Sequence, residues 1–170
     1  MRRVLLTRWP IGLVVLALVA GAVAGGFLWR GNAPARAANV PPVVQDFGRQ
    51  KVIYHIAEAG DDRLGRQAGW LGSMMNHYAA LKPGALDMAV VMNGDGIALL
   101  QNARHDKALQ ERITKLKDLG ARFLVCRNTL ISRGIDPTTD LYDVRTGDIV
   151  AAGVAEIALL ETEGYGYIRP

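Results

Sequence analysis

The chain of 170 residues is 50% apolar and 21% charged, enough core material for one folded domain and too much for a disordered chain. Its single cysteine excludes an intrachain disulfide and a zinc site built on four cysteines. Five of the 20 basic residues (Arg2, Arg3, Arg8, Arg30, Arg36) lie in residues 1–37, which hold no acid, so the remaining 15 face all 16 acids and the body is near neutral; a nucleic-acid partner has no electrostatic footprint to bind.

Residues 1–37 read as a leader. A short basic stretch, Met1 to Pro10, precedes an uncharged apolar run from Ile11 to Leu28, the order of an export signal. Arg2-Arg3 stands at the very start, without the polar context of a twin-arginine signal. Small-residue cleavage sites occur at Ala22-Val23-Ala24 and Ala35-Arg36-Ala37. The run is longer than the usual ~7–15 residues of a signal core and near the ~17–25 that span a bilayer. Trp9 and Trp29 flank it as interfacial aromatics do. A cleaved signal peptide and an uncleaved inner-membrane anchor fit equally. In both cases the body is exported, and a periplasmic location is expected. Residues 38–50, with Pro41 and Pro42 and no periodicity, read as a linker to a domain over 51–170.

Within that domain, Lys51 to Ile56 is a compact apolar run with β-branched residues and predicts a strand. Leu64 to Leu81 predicts a helix, with Leu64, Ala68, Leu71, Met75, Tyr78 and Ala79 at helical spacing and Pro83-Gly84 as its stop. Asp61 and Asp62 fit acids at the helix start as well as they fit paired catalytic carboxylates. Leu86 to Met92 predicts a second strand, followed by the turn Asn93-Gly94-Asp95-Gly96 and a short helix over Ile97 to Gln101. A longer helix is expected from Asp106 to Leu119, ended by Gly120, and a third strand from Arg122 to Cys126. Asn128 is expected to cap a short helix through Arg133, with Gly134 as its stop. Asp136 to Gly147 reads as loop, Asp148 to Ala151 as a weak strand, Gly153 to Glu163 as a helix and Tyr165 to Ile168 as a last strand.

Strands that alternate with helices, and are apolar throughout, predict an α/β three-layer sandwich around a mostly parallel five-stranded sheet. In such sheets functional groups gather at the carboxyl ends of the strands. Those ends carry His55, Asn93 with Asp95, and Cys126. A thiol at the start of a helix, beside Arg127, is expected to titrate below the ~8.5 of a free thiol. The bland reading is a buried, inert cysteine, a common fate of that residue. His77 and His105 are expected to be structural and solvated respectively, and the three histidines have no metal-ligand spacing. Asn93-Gly94-Asp95-Gly96 has the makings of an anion cradle, yet it is not GxGxxG and lacks a P-loop lysine, and a tight turn explains it as well. There is no HExxH, GxSxG or Ser-His-Asp order. No cofactor and no metal are expected.

The segment Phe123-Leu-Val-Cys-Arg-Asn-Thr-Leu-Ile-Ser-Arg-Gly-Ile135 resembles the cysteine segment of the DsrE/DsrF-like family. Gly153-Val-Ala-Glu-Ile157 with Gly164-Tyr-Gly-Tyr-Ile-Arg-Pro170 resembles its C-terminal signature, and Val90 to Leu100 its second-strand turn. The resemblance runs over Lys51 to Pro170. It implies a parallel α/β fold, assembly as homo-trimers or hexamers, and a sulfur-carrier role in which the cysteine matching Cys126 holds a persulfide. The best-known members are cytoplasmic, and the leader departs from that pattern. On this reading Cys126 is the nucleophile, and backbone N–H groups at Asn128 and Thr129, with Arg127, stabilise its thiolate. His55, Asn93 and Asp95 complete the site. The partner is a sulfur donor or acceptor protein or a small sulfur compound. The alternative is a non-catalytic oligomeric module that binds a small ligand or a partner at the same edge, with Cys126 as packing. A nucleotide-dependent enzyme rests on fold analogy alone.

Overall fold

The structure is a computed structural model that describes residues 43–60 and 65–170. The leader, the cleavage sites, Asp61-Asp62 and Leu64 lie outside the described residues. Among the described residues no helix is long and apolar enough to cross a membrane.

Five strands form one sheet in the order β4-β3-β2-β1-β5, every neighbouring pair parallel. They are β1 (Gln50–Ile56), β2 (Leu86–Met92), β3 (Arg122–Cys126), β4 (Ile149–Val150) and β5 (Gly166–Ile168). The helices are α1 (Arg66–Ala80), α2 (Ala98–Asn102), α3 (Lys107–Asp118), α4 (Arg127–Arg133) and α5 (Gly153–Thr162). The three inner strands are continuous apolar runs because helices cover both of their faces. Their side chains alternate between two cores. Val52, Tyr54 and Ile56, with Met88, Val90, Met92, Phe123 and Val125, pack with residues of α1, α2, α3 and α4. Ile53, Ala89, Val91 and Leu124 face the other way, onto Ile157 and Leu160 of α5 and onto Tyr165.

The departures from the sequence expectations are local. The most buried residues of α1 are Gln67, Trp70, Leu71 and Met74; Ala68, Met75 and Tyr78 of the predicted face pack against the same core at its margin, and Ala79 is exposed. Gln67 can be buried because its amide donates to the Ala59 carbonyl and accepts from Asn102. Helix α4 begins at Arg127 with Cys126 in the N-cap position, so Asn128 lies in the first turn and does not cap it. The fourth strand shrinks to two residues because Thr146–Asp148 form a 3-10 turn, in which Asp148 Oδ2 accepts from the Arg145 N–H. The last strand starts at Gly166, while Tyr165 turns into the α5-side core.

Asp106, expected as the first residue of α3, stands before it as the N-cap, accepting from the N–H groups of Ala108 and Leu109. At the amino edge of the sheet, the Tyr165 hydroxyl donates to Asp87 (2.5 Å) and receives a hydrogen bond from Arg122 (2.8 Å). Burial and the Asp87 carboxylate push the tyrosine pKa up to about 12. That knot ties the chain after α5 to β2 and β3 at the edge opposite Cys126.

Candidate functional site

Parallel pairing brings the strand ends into register. His55 pairs with Val91, Ile56 with Met92, and Met92 with Val125, so Asn93 and Cys126 occupy neighbouring places just past the last residues paired between β2 and β3, Cys126 itself pairing with Val150 of β4. Alternation then decides the face. His55 follows Ile53, Asn93 follows Val91, and Cys126 follows Leu124, so all three belong to the side covered by α5. Tyr167, opposite Ile53 in β5, joins the same face. A row therefore crosses four adjacent strands: Tyr167, His55, Asn93, Cys126. Hydrogen bonds link three of its members. The Tyr167 hydroxyl meets His55 Nδ1 at 2.7 Å, and His55 Nε2 meets Asn93 Oδ1 at 3.0 Å. An amide oxygen only accepts, so Nε2 carries the proton and Tyr167 donates to Nδ1.

The turn after β2 fits this edge because of its glycines. Asn93 N–H donates to the Ile56 carbonyl. A Cβ on Gly96 would lie 1.9 Å from that same carbonyl oxygen, so only glycine fits. Gly94 adopts φ +52°, a left-handed conformation that glycine takes without strain, and its N–H donates to Thr129 Oγ1 at 3.1 Å. Asp95 turns outward to pair with Arg133 (2.6 Å), an exposed ion pair on the rim that adds little stability.

Cys126 is 5% exposed and is the thiol at the centre of this edge. The amino end of α5 closes on it. A Cβ on Gly153 would stand 3.2 Å from the Asn93 Cβ and 3.4 Å from the Cys126 Cβ. Burial, the strongest single influence, pushes the thiol pKa up. The N–H of Gly153, the hydroxyl and N–H of Thr129, and the N–H of Asn128 pull it down, and together they prevail, leaving it below its ordinary value. The Cys126 side chain makes no cap hydrogen bond to α4 in the neutral thiol. The donors are dipoles in place for a charge that has yet to form. Of the groups expected to stabilise the thiolate, the N–H groups of Asn128 and Thr129 act on the thiol, while the exposed Arg127 side chain is not among the groups that do; the Gly153 N–H and the Thr129 hydroxyl join them. The Thr129 hydroxyl has a double role. Its oxygen accepts from Gly94 N–H, which leaves its own proton to aim at sulfur.

The sequence reading missed Gly153 and Tyr167. A glycine opening an otherwise apolar helix signals close approach, and the register of β5 was needed to set Tyr167 beside His55. His77 lies away from this edge, between the Tyr54 hydroxyl (3.1 Å) and Gln50 Oε1 (2.7 Å). Its role is to join α1 to β1. His105 is exposed.

A parallel sheet sheathed by helices, with one nearly buried thiol at its carboxyl edge, defines a small α/β protein. The chain belongs to the DsrE/DsrF-like family, whose model matches residues 51–170. It is 31% identical to a protein of unknown function, MTH1491 from Methanobacterium thermoautotrophicum, with a TM-score of 0.59 over 71% of this chain and 99% of that one. The ychN protein from E. coli, 16% identical, shares the fold with a TM-score of 0.50 over 72% of this chain and 97% of that one. No protein of curated function matches the chain.

Proposed function

We propose that the protein is a sulfur carrier whose Cys126 thiolate takes a sulfane sulfur and holds it as a persulfide. The observation that carries the reading is the set of donors around Cys126: Gly153 from α5, and Asn128 and Thr129 from α4. Such dipoles stabilise a thiolate without a neighbouring base or metal. In the loading step the thiolate attacks the terminal sulfur of a polysulfide dianion. One S–S bond forms to Cys126 and one S–S bond of the polysulfide breaks, its electron pair leaving on the shortened dianion. No external oxidant or reductant is required.

Incubation with inorganic polysulfide tests this by intact mass. The wild-type chain gains the mass of one sulfur atom, and Cys126→Ser gains none. A native thiol that resists both polysulfide and alkylation, yet alkylates in urea, refutes the carrier. The reading then favoured by the 5% exposure of Cys126 is a binding module in which the cysteine is packing.

The proposal extends to assembly and location. Val154, Ala155, Ala158 and Leu159 make an exposed apolar strip along α5, with Val154 67% and Leu159 53% exposed, and a homo-oligomer would cover it. Light scattering of residues 38–170 should give a multiple of one chain's mass; a monomer at high micromolar concentration refutes it. Export of the domain by residues 1–37 is tested by a reporter fused after Pro170, which should be active only if it is of a kind that functions in the periplasm.

A further inference from the structure

The chain Tyr167–His55–Asn93 has no part in lowering the Cys126 pKa, because its amide is not among the donors that act on the thiol. It nevertheless ends beside that thiol, across Gly153. Asn93 Oδ1 is engaged by His55, which fixes the amide so that Nδ2 points the other way. Nδ2 lies 3.5 Å from where a Gly153 Cβ would stand, the same point that is 3.4 Å from the Cys126 Cβ. Among the described residues Nδ2 makes no hydrogen bond to a protein group, so a free donor faces the point beside Gly153 that the Cys126 Cβ also faces.

We propose that the Asn93 amide donates to the outer sulfur of a Cys126 persulfide, and that His55 and Tyr167 are positioning residues that hold that amide in its donating orientation. The inference rests on the carrier reading of Cys126. The outer sulfur of a persulfide carries the negative charge and sits one S–S bond beyond Sγ, out of reach of donors gathered on Sγ itself. It needs a donor of its own, and a hydrogen bond to a charged group is worth more than a neutral one. The positioning role follows from amide symmetry. Oxygen and nitrogen of an asparagine exchange places by a half-turn, and only a proton on His55 Nε2 rejects the wrong orientation. That proton stays on Nε2 because Tyr167 donates to Nδ1.

The test loads the full-length protein with inorganic polysulfide, removes the excess, and follows loss of the sulfur adduct by intact mass in dithiothreitol. Asn93→Ala should lose its sulfur about tenfold faster than wild type, the worth of one hydrogen bond to a charged group. Tyr167→Phe, at a site 45% exposed and so safe for folding, should lose it about two- to threefold faster, because His55 then samples both tautomers. His55→Leu should match Asn93→Ala, and His55→Gln, which keeps a donor towards Oδ1, should recover much of the lifetime. The pH profile of alkylation of the unloaded thiol should not move in Tyr167→Phe, which separates positioning of the persulfide from general damage to the site. Wild type that loads, with variants that lose sulfur at the wild-type rate, overturns this inference and leaves the carrier reading intact. Faster loss in Asn93→Ala alone overturns the positioning roles. A wild-type chain that takes up no sulfur overturns both.

Discussion

Thr129→Val isolates the tertiary contribution to the thiol. Valine has nearly the shape of threonine, and Thr129 is 8% exposed, so the packing around it is retained while one hydroxyl is lost. Two effects follow. The Gly94 N–H loses its acceptor, at a cost of about 1 kcal/mol in stability, the lower end of the range because the turn is only partly buried. The Cys126 thiolate loses one of its donors. Hydrogen bonds to charged groups are worth roughly 1.5–3 kcal/mol, but the thiolate keeps its three N–H donors, so about 1 kcal/mol is expected. At neutral pH that is about fivefold less thiolate. The rate of alkylation by iodoacetamide across pH reads it directly: the midpoint should move up, and the rate at pH 7 should fall about fivefold. Thr129→Ser keeps the hydroxyl and should stay close to wild type. The reasoning is refuted if Thr129→Val alkylates with the wild-type profile, or if Thr129→Ser and Thr129→Val behave alike.

Gly153→Ala should fold, because alanine favours a helix and the neighbouring Cβ atoms at 3.2 and 3.4 Å yield by a few tenths of an ångström. The displaced α5 terminus should nevertheless slow Cys126 alkylation at pH 7, with a urea midpoint near wild type. Gly96→Ala has no such latitude, since its Cβ would meet backbone at 1.9 Å; a loss of about 3 kcal/mol or more in urea unfolding is expected, and a loss below 1 would show that the turn is soft. His77 is held below its ordinary pKa by burial, so the unfolded chain binds its proton first as pH falls. Its contribution to stability is complete above about pH 6.5 and declines as pH drops from there through the folded-state value. Urea midpoints at pH 7.5 and 5.5 should differ in wild type, by more than they do in His77→Gln.

Most of the fold was legible in the sequence because its signals are local. The runs Lys51–Ile56, Leu86–Met92 and Arg122–Cys126 are apolar from end to end, which only a sheet covered on both faces accommodates. The edge that would carry chemistry followed from the same reading, since parallel strands place His55, Asn93 and Cys126 at one end. The expectations that failed are details of face and cap that apolar spacing does not encode. Gln67 turned inward to the Ala59 carbonyl, and Asn128 yielded the cap position to Cys126.

Half of what acts on the thiol was legible in the sequence, the N–H groups of Asn128 and Thr129 that open the next helix; the Gly153 N–H and the aim of the Thr129 hydroxyl were decided by tertiary structure. Arg127, next to Cys126 in sequence, is not among the groups that lower its pKa, whereas Gly153 is far along the chain and its N–H acts on the sulfur beside those of Asn128 and Thr129. The backbone N–H groups at a helix start point back at the residue before it while the Arg127 side chain turns outward, and a dipole delivered by another element arrives along whatever direction the packing sets. The same holds for Tyr167 and Gly94, which reach His55 and Thr129 only through strand register and turn geometry. The sequence by itself determined which residue types stand at the strand ends; the packing of α5 onto the sheet decided which of their atoms meet.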